Sequence, residues 1–195
     1  MQVPDDQKRL KILSSAAELF AARPYHKVLL SDVAEAAGVG KGTLYVYFKN
    51  KEELYLSVRM AGFSDLLEKL RVWTEEDTHT PVEKLEAVVR EMVDFAFQNP
   101  HHFEMIRTIS GWQAMNHAKW DNMRRELIIL IESVIRKGIS LGFFIDPHPE
   151  LTARIIPGSI RSIVLDAVDT MDAATIKVHI LRFILSGIRK EGACY

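Results

Sequence analysis

A glycine-punctuated turn between two short helical patterns constrains the fold of this chain more than any other feature. Residues 38–54 read Gly-Val-Gly-Lys-Gly-Thr-Leu-Tyr-Val-Tyr-Phe-Lys-Asn-Lys-Glu-Glu-Leu. Just upstream, Val33, Ala34 and Ala37 are spaced as on the inner face of a short helix. Two short helices joined by a short turn that contains glycine form a helix-turn-helix, whose second helix enters the major groove of DNA. The pattern therefore predicts a DNA-binding head.

The second helix of this motif is expected to have a packed side and a polar side. Leu44 and Phe48 lie four residues apart and should face inward together, whereas Thr43 and Tyr47 form a second such pair that points outward. Lysines and tyrosyl hydroxyls beside such a helix are suited to phosphate contacts. The alternative is an ordinary helix pair, because glycine-containing connections are common and exposed Tyr and Lys often only solvate a surface.

The head resembles a known family. Residues 43–54 resemble the signature of the TetR family of bacterial transcriptional regulators, and the resemblance extends upstream through residues 32–39 and the helical pattern of residues 12–20. It covers roughly the first quarter of the chain, and the rest matches only in length and helical pattern. The resemblance implies a three-helix head, a larger all-helical body that binds a ligand, and a homodimer that usually represses transcription from double-stranded operator DNA.

The DNA contacts are assigned to the turn and the helix that follows it. Gly42 should allow close approach of the backbone to the bases, and Tyr45, Lys49 and Lys51 should hold phosphates. The residues predicted to bind DNA are Ser31, Lys41, Gly42, Thr43, Tyr45, Tyr47, Lys49 and Lys51.

Two positions depart from the family pattern. Leu29 stands where most members have a Ser or Thr helix cap, which costs about 1 kcal/mol of helix stability unless Ser31 takes the role. Gly40 stands where Ser is frequent. Both changes remove a hydroxyl that could cap a helix or contact a phosphate.

Composition places the chain among two-domain cytoplasmic proteins. With 195 residues, of which 48% are hydrophobic, it can form a small and a larger domain, each with a core. No stretch approaches the roughly 20 apolar residues of a membrane span. Residues 1–6 do not have the pattern of a signal peptide. The single cysteine, Cys194, cannot form an internal disulfide.

The net charge of −1 is divided unevenly along the chain. Residues 1–51 hold eight Lys or Arg and five Asp or Glu, whereas residues 52–195 hold 17 and 21. A mildly basic head on an acidic body localises the attraction for phosphate. The predicted domains are a helix-turn-helix domain over residues 1–52 and a domain for effector binding and dimerisation over residues 53–195.

Helical periodicity continues along the whole chain, and no strand pattern is present, so the predicted fold is all-α with about nine helices. Apart from the two helices of the motif, the helices are expected at about 6–22, 50–74, 81–98, a short segment ending near residue 111, 113–141, 149–169 and 173–190. The predicted helix caps are Gly38, Asn50, Thr80, Gly142 and Asp172.

Aromatic and methionine side chains are concentrated in the middle of the chain. Such side chains at helical spacing more often form a core, but apolar ligand sites are also built between the helices of bundles. The resemblance implies an effector pocket in this region for a small, largely apolar molecule. The residues predicted to line it are Phe97, Phe103, Trp112, Met115, Trp120 and Arg124.

The last two helices are apolar over more than the one stripe that a single packed side requires. The surplus could belong to the core of the chain itself. The resemblance favours an interface of four helices from two copies. The residues predicted for this interface are Ile156, Ile160, Ile163, Ile180, Phe183, Ile184 and Gly187.

Other functional classes have little support. His101 and His102 are adjacent and cannot share a helix face, so no metal site is predicted. No catalytic residues, cofactor or enzymatic activity are predicted, because no nucleophile elbow, phosphate loop or dinucleotide turn is present. Two hypotheses remain: a ligand-responsive dimeric DNA-binding repressor, and a helical small-molecule-binding protein whose head no longer reads DNA.

Overall fold

The structure is a computed structural model that describes residues 5–98, 117–167 and 170–188. Within these ranges the chain forms eight α-helices, in agreement with the predicted all-α fold. They are α1 (Asp6–Ala22), α2 (Leu30–Ala36), α3 (Lys41–Tyr47), α4 (Lys51–Glu75), α5 (Pro81–Gln98), α6 (His117–Ser140), α7 (Pro149–Ala167) and α8 (Ala173–Ile188). A 3-10 turn, Tyr25–Lys27, lies between α1 and α2. The short helix predicted to end near residue 111 lies outside the described residues.

The chain divides into two compact units, and the division falls within α4, after Phe63. The domain boundary predicted after residue 52 lies in the first turn of the same helix. No helix in the described ranges combines the length and the apolarity that crossing a membrane requires.

The first unit is built on apolar side chains from α1, α2 and α3 together with the start of α4. α2 packs against both α1 and α3. The rings of Phe20, Tyr25 and Tyr55 form a cluster in which the Phe20 and Tyr55 centroids lie 4.8 Å apart in an edge-on arrangement. The buried core residues are Ile12, Leu13, Ala16, Phe20, Val28, Val33, Ala34, Leu44, Phe48, Leu54 and Tyr55.

The turn of the helix-turn-helix is set by Gly38, as predicted. Gly38 has a φ of 65°, a left-handed conformation that glycine adopts without strain. Its N–H donates to the Glu35 carbonyl at 3.0 Å, and the Val39 N–H donates to the Ala34 carbonyl at 2.9 Å. These two bonds satisfy the last carbonyls of α2 and turn the chain toward α3.

Three other predicted caps are also confirmed. The side chain of Asn50 accepts the Glu53 N–H at 2.8 Å at the start of α4. Thr80 and Glu83 form a reciprocal capping box at the start of α5, with the Thr80 N–H donating to the Glu83 carboxylate at 2.7 Å. Asp172 accepts the Thr175 N–H at 2.9 Å before α8.

The second unit is organised around α5, which contacts α6, α7 and α8, while α6 also packs on α7. An ion pair between Lys177 and Asp94, 2.5 Å apart, joins α8 to α5. Arg71 on α4 binds Glu126 on α6 through its Nε at 2.8 Å.

The end of α6 depends on two glycines, Gly142 and Gly138. Gly142 ends the helix at a φ of 78°, and the chain then folds back so that the buried ring of Phe144 lies against Gly138. A Cβ atom on Gly138 would lie 2.1 Å from the Phe144 Cδ2. The packing of this corner therefore requires that residue 138 have no side chain.

Candidate nucleic-acid interface

Helix α3 has one side in the core and one side exposed, as predicted. Leu44 and Phe48 are both fully buried in the first unit. Thr43 and Tyr47, which were expected to point outward, are half-buried at the edges of the helix. The exposed positions of α3 are Lys41, Gly42, Tyr45 and Val46.

Tyr47 is held in place by the start of α1. Its ring packs against the core of the head, and its hydroxyl oxygen accepts the Asp5 N–H at 2.8 Å. The hydroxyl only accepts in this bond, so its hydrogen remains available for donation to a phosphate. The hydrogen bond with Asp5 holds the side chain of Tyr47 at the edge of α3.

The two lysines after α3 differ in their surroundings. The side chain of Lys49 is exposed. Lys51 is half-buried, and its Nζ lies 4.3 Å from the centre of the Tyr25 ring, an arrangement in which the ring face attracts the cation. Burial lowers the pKa of Lys51. Burial, followed by the negative charge of Glu52, raises the pKa of Tyr25.

Neither departure from the family pattern is compensated by a neighbouring side chain. Leu29 and Gly40 occupy the cap positions of α2 and α3, and neither helix has a side-chain cap. The Ser31 hydroxyl donates to the Asp32 carboxylate at 3.3 Å, so it does not replace the missing cap of α2. Arg23 also pairs with Asp32, at 3.5 Å.

Val46 is an exposed residue of this surface that the sequence prediction omitted. Its side chain is 60% exposed. The signal was present in the spacing, because Val46 lies midway between Leu44 and Phe48, and a residue two positions from each member of a buried i, i+4 pair lies on the opposite side of a helix.

The predicted effector residues are only partly within the described ranges. Phe97 on α5 and Trp120 on α6 are half-buried, and Arg124 is exposed. Phe103, Trp112 and Met115 lie outside the described residues. The effector pocket therefore stays a prediction. In the described part of the chain, no group of three or more His, Cys, Asp or Glu side chains could hold a metal ion.

The predicted dimer residues separate into two classes. The side chains of Ile156, Ile160, Ile180 and Ile184 are buried in the core of the second unit. They pack within the chain, and Ile156 and Ile184 also line a groove between α7 and α8, so their part in an interface stays a prediction. Ile163 is half-buried, whereas Gly187 and Phe183 are exposed, the latter by 71%.

An exposed apolar groove nevertheless runs between α7 and α8. Leu151, Ile155 and Val178, which the sequence prediction omitted, are large apolar residues exposed on these helices. A cavity of about 590 Å³ opens on this side. Its lining includes the apolar residues Ile155 and Phe183 and the polar residues Asp146, His179 and Arg182. The apolar surplus predicted for the last two helices is therefore present, and the groove is lined by Ile156, Phe183, Ile184 and Gly187 of the predicted set together with Ile155 and Ile188.

The sequence matches two protein-domain families. The description of bacterial regulatory proteins of the tetR family matches residues 12–58, which include the head with α1, α2 and α3. The description of the tetracyclin repressor-like C-terminal domain matches residues 78–188. The two matches together cover the head and most of the body.

Individual relatives agree with these matches. The chain is 31% identical over 156 residues to the HTH-type transcriptional regulator YhgD of Bacillus subtilis, covering 77% of this chain and 78% of that protein. It is 24% identical over 190 residues to the fatty acid metabolism regulator protein of Bacillus subtilis, covering 94% and 97%. The crystal structure of the regulator FadR from Bacillus subtilis in complex with stearoyl-CoA has a TM-score of 0.71 at 24% identity, covering 93% and 100%; this likeness shows the shared fold.

Proposed function

The chain belongs to the TetR family of DNA-binding transcriptional regulators, and we propose that it is a dimeric repressor that an apolar small molecule releases from a palindromic operator. The relatives reported above are transcriptional regulators rather than enzymes. Because such a regulator acts on the chromosome, the cytoplasm is its proposed location.

The proposal for DNA recognition rests on the exposed side of α3. Lys41, Gly42 and Tyr45 are exposed there, so their side chains or backbone can reach a groove without displacing the core. Thr43 and Tyr47 border this surface, and Lys49 follows it. We assign phosphate contacts to the lysines and tyrosines, because cations and hydroxyls are the usual partners of phosphate oxygens.

The proposal for dimerisation rests on the apolar groove between α7 and α8. A large exposed apolar surface on a helix pair requires a covering partner, and closed two-fold symmetry is the commonest arrangement among homo-oligomers. Ile163, Phe183 and Gly187 are retained from the predicted set, and Ile155 is added to it. A two-fold dimer would read two half-sites separated by about one helical turn of DNA, or a multiple of it.

The proposal for the effector rests on two observations of different kinds. Phe97 and Trp120 are half-buried apolar side chains on α5 and α6, two helices that pack together. A relative that covers nearly the whole chain is a fatty acid metabolism regulator, and FadR from Bacillus subtilis was crystallised with stearoyl-CoA. A long-chain acyl-CoA is therefore the first effector to test. α4 is the proposed connection to the head, because its residues belong to both units.

The first experiment measures operator binding with and without the effector. A gel shift on DNA upstream of the chain's own gene would locate the operator, and fluorescence anisotropy would give its affinity. Stearoyl-CoA should weaken binding by about 5- to 150-fold, the range of typical allosteric coupling. Free coenzyme A is the matched control and should have no effect. Binding of stearoyl-CoA that changes tryptophan fluorescence but leaves operator affinity unchanged would contradict the release mechanism.

The second hypothesis, a head that no longer reads DNA, is favoured by the uncapped starts of α2 and α3. It predicts that no DNA fragment binds more tightly than random sequence. The replacement Leu29→Thr, which restores a cap, would then strengthen DNA binding in a protein that binds weakly without it.

A further inference from the structure

Val46 lies on the side of α3 opposite the buried Leu44, and its side chain projects further from the helix than that of Gly42, which shares this side. At about 100° per residue, it lies about 160° around the helix axis from Leu44, the buried residue of this helix. Its 60% exposure agrees with that geometry. A helix that inserts its exposed side into a groove therefore places Val46 closest to the floor.

The position one turn before Val46 leaves room for such an approach. Gly42 lies within about 40° of Val46 around the helix axis. A Cβ atom at Gly42 would have no atom within 4 Å apart from those of its chain neighbours and of its own helix backbone, so no contact with another part of the described chain requires glycine there. The surface next to Val46 is consequently flat, and the backbone of α3 can come close to a groove.

The chemistry of Val46 restricts what it can read. Its side chain has two methyl groups and no hydrogen-bond donor or acceptor. Among base edges in the major groove, the distinctive apolar feature is the C5-methyl group of thymine. Helix stability does not account for the residue, because a β-branched side chain is a weaker helix former than alanine.

We propose that Val46 determines sequence specificity by packing against the C5-methyl group of one thymine in each operator half-site. The inference rests on the proposed role of α3 as the reading helix. It assigns to this helix an apolar readout in addition to the polar contacts proposed for its neighbours, and it predicts an A·T pair at one fixed position of each half-site.

The test removes the methyl group from the DNA without altering base pairing. Operators are first selected from a randomised duplex library with the wild-type protein, and each thymine is then replaced by deoxyuridine. At one thymine per half-site, the replacement should weaken wild-type binding about fourfold, which corresponds to the roughly 0.8 kcal/mol associated with one buried methylene-sized group. Replacements at all other positions should have smaller effects.

A protein variant then links this effect to Val46. Val46→Ala should bind the thymine and deoxyuridine operators equally, because the methyl group no longer has a partner. The replacement removes exposed atoms only and favours the helix, so the head stays folded. Val46→Thr, which keeps one methyl group at the branch point, should retain part of the discrimination. Placing 5-methylcytosine instead of cytosine at the same position should strengthen wild-type binding and leave Val46→Ala unchanged.

Results that contradict the role of Val46 can be told apart from results that contradict the role of α3. If no deoxyuridine replacement weakens wild-type binding, or if Val46→Ala keeps the full discrimination, Val46 does not read a methyl group. If the wild type enriches no sequence from the library, the assignment of α3 as the reading helix fails as well, and the inference fails with it.

Discussion

Gly42 is a residue at which the stability of the head and its function are expected to oppose each other. Glycine is less favourable in a helix than alanine by about 1 kcal/mol, and an added Cβ atom would meet no atom within 4 Å outside its own helix backbone and its chain neighbours. The helix therefore gives up stability at this position without a compensating contact inside the described part of the chain.

The replacement Gly42→Ala should raise the free energy of unfolding of the head by up to about 1 kcal/mol and weaken operator binding. Hydrogen exchange of the head amides measures the first effect, and anisotropy measures the second. Gly38→Ala is the control, because its φ of 65° should make alanine destabilising by about 1–2 kcal/mol. Unchanged or stronger operator binding by Gly42→Ala would show that DNA does not approach this residue closely.

Variants of the two lysines that follow α3 should distinguish a role in phosphate binding from a role in packing of the head. Lys51→Ala should weaken binding to all DNA sequences alike and reduce the salt slope by about one. It should also destabilise the head, because Lys51 lies over the Tyr25 ring. Lys49→Ala is the matched variant: its exposed side chain predicts the same change of slope with no loss of stability. A change in sequence preference at constant salt slope would count against both assignments.

At the scale of elements, the end of α6 is held by a fit between a glycine and an aromatic ring. Gly138→Ala would bring a Cβ atom to 2.1 Å from the Phe144 ring, so the ring or the backbone must move. Overpacking of this kind costs about 1–3 kcal/mol. We expect a loss of stability in that range for the second unit, measured by chemical denaturation.

A double-mutant cycle identifies the cause of this loss. In a Phe144→Ala background the clash is absent, so Gly138→Ala should be neutral or stabilising there. Equal destabilisation by Gly138→Ala in both backgrounds would show that Phe144 is not the residue that requires glycine.

At the scale of the whole molecule, the exposure of side chains on α7 and α8 decides which variants should produce monomers. Ile155→Glu and Phe183→Glu place charges on exposed apolar positions of α7 and α8, so they should separate the dimer without unfolding the chain. Both should lose operator binding, because a two-fold operator needs two heads. Sedimentation and anisotropy measure the two outcomes.

The control for this experiment is Ile129→Glu, on α6. Ile129 is 58% exposed and does not line the groove between α7 and α8, so its variant should remain dimeric. A wild type that is monomeric at micromolar concentration and binds DNA with full affinity would refute the interface. Ile184→Glu is not a suitable test, because Ile184 is buried and the charge would unfold the second unit.

The features that could be predicted from the sequence are those that nearby residues determine. Asn50, Thr80 and Asp172 cap their helices through groups within three positions of themselves. Gly38 turns the chain through bonds that span five residues at most. The all-α fold and the inward orientation of Leu44 and Phe48 follow from helical periodicity. These interactions have the same partners wherever the helix is placed, so one sequence suffices to identify them.

The features that needed the tertiary structure involve partners distant in the sequence. The pattern of α7 showed that it is apolar on more than one side, but it could not show that Ile156 faces the core and Ile155 does not, because either side could have packed on α5. The contact of Tyr47 with Asp5 spans 42 positions. Lys51 meets Tyr25 only because α4 returns beside the turn after α1. Packing therefore decided which side chains are exposed, because the periodicity of a helix defines its faces but not their neighbours.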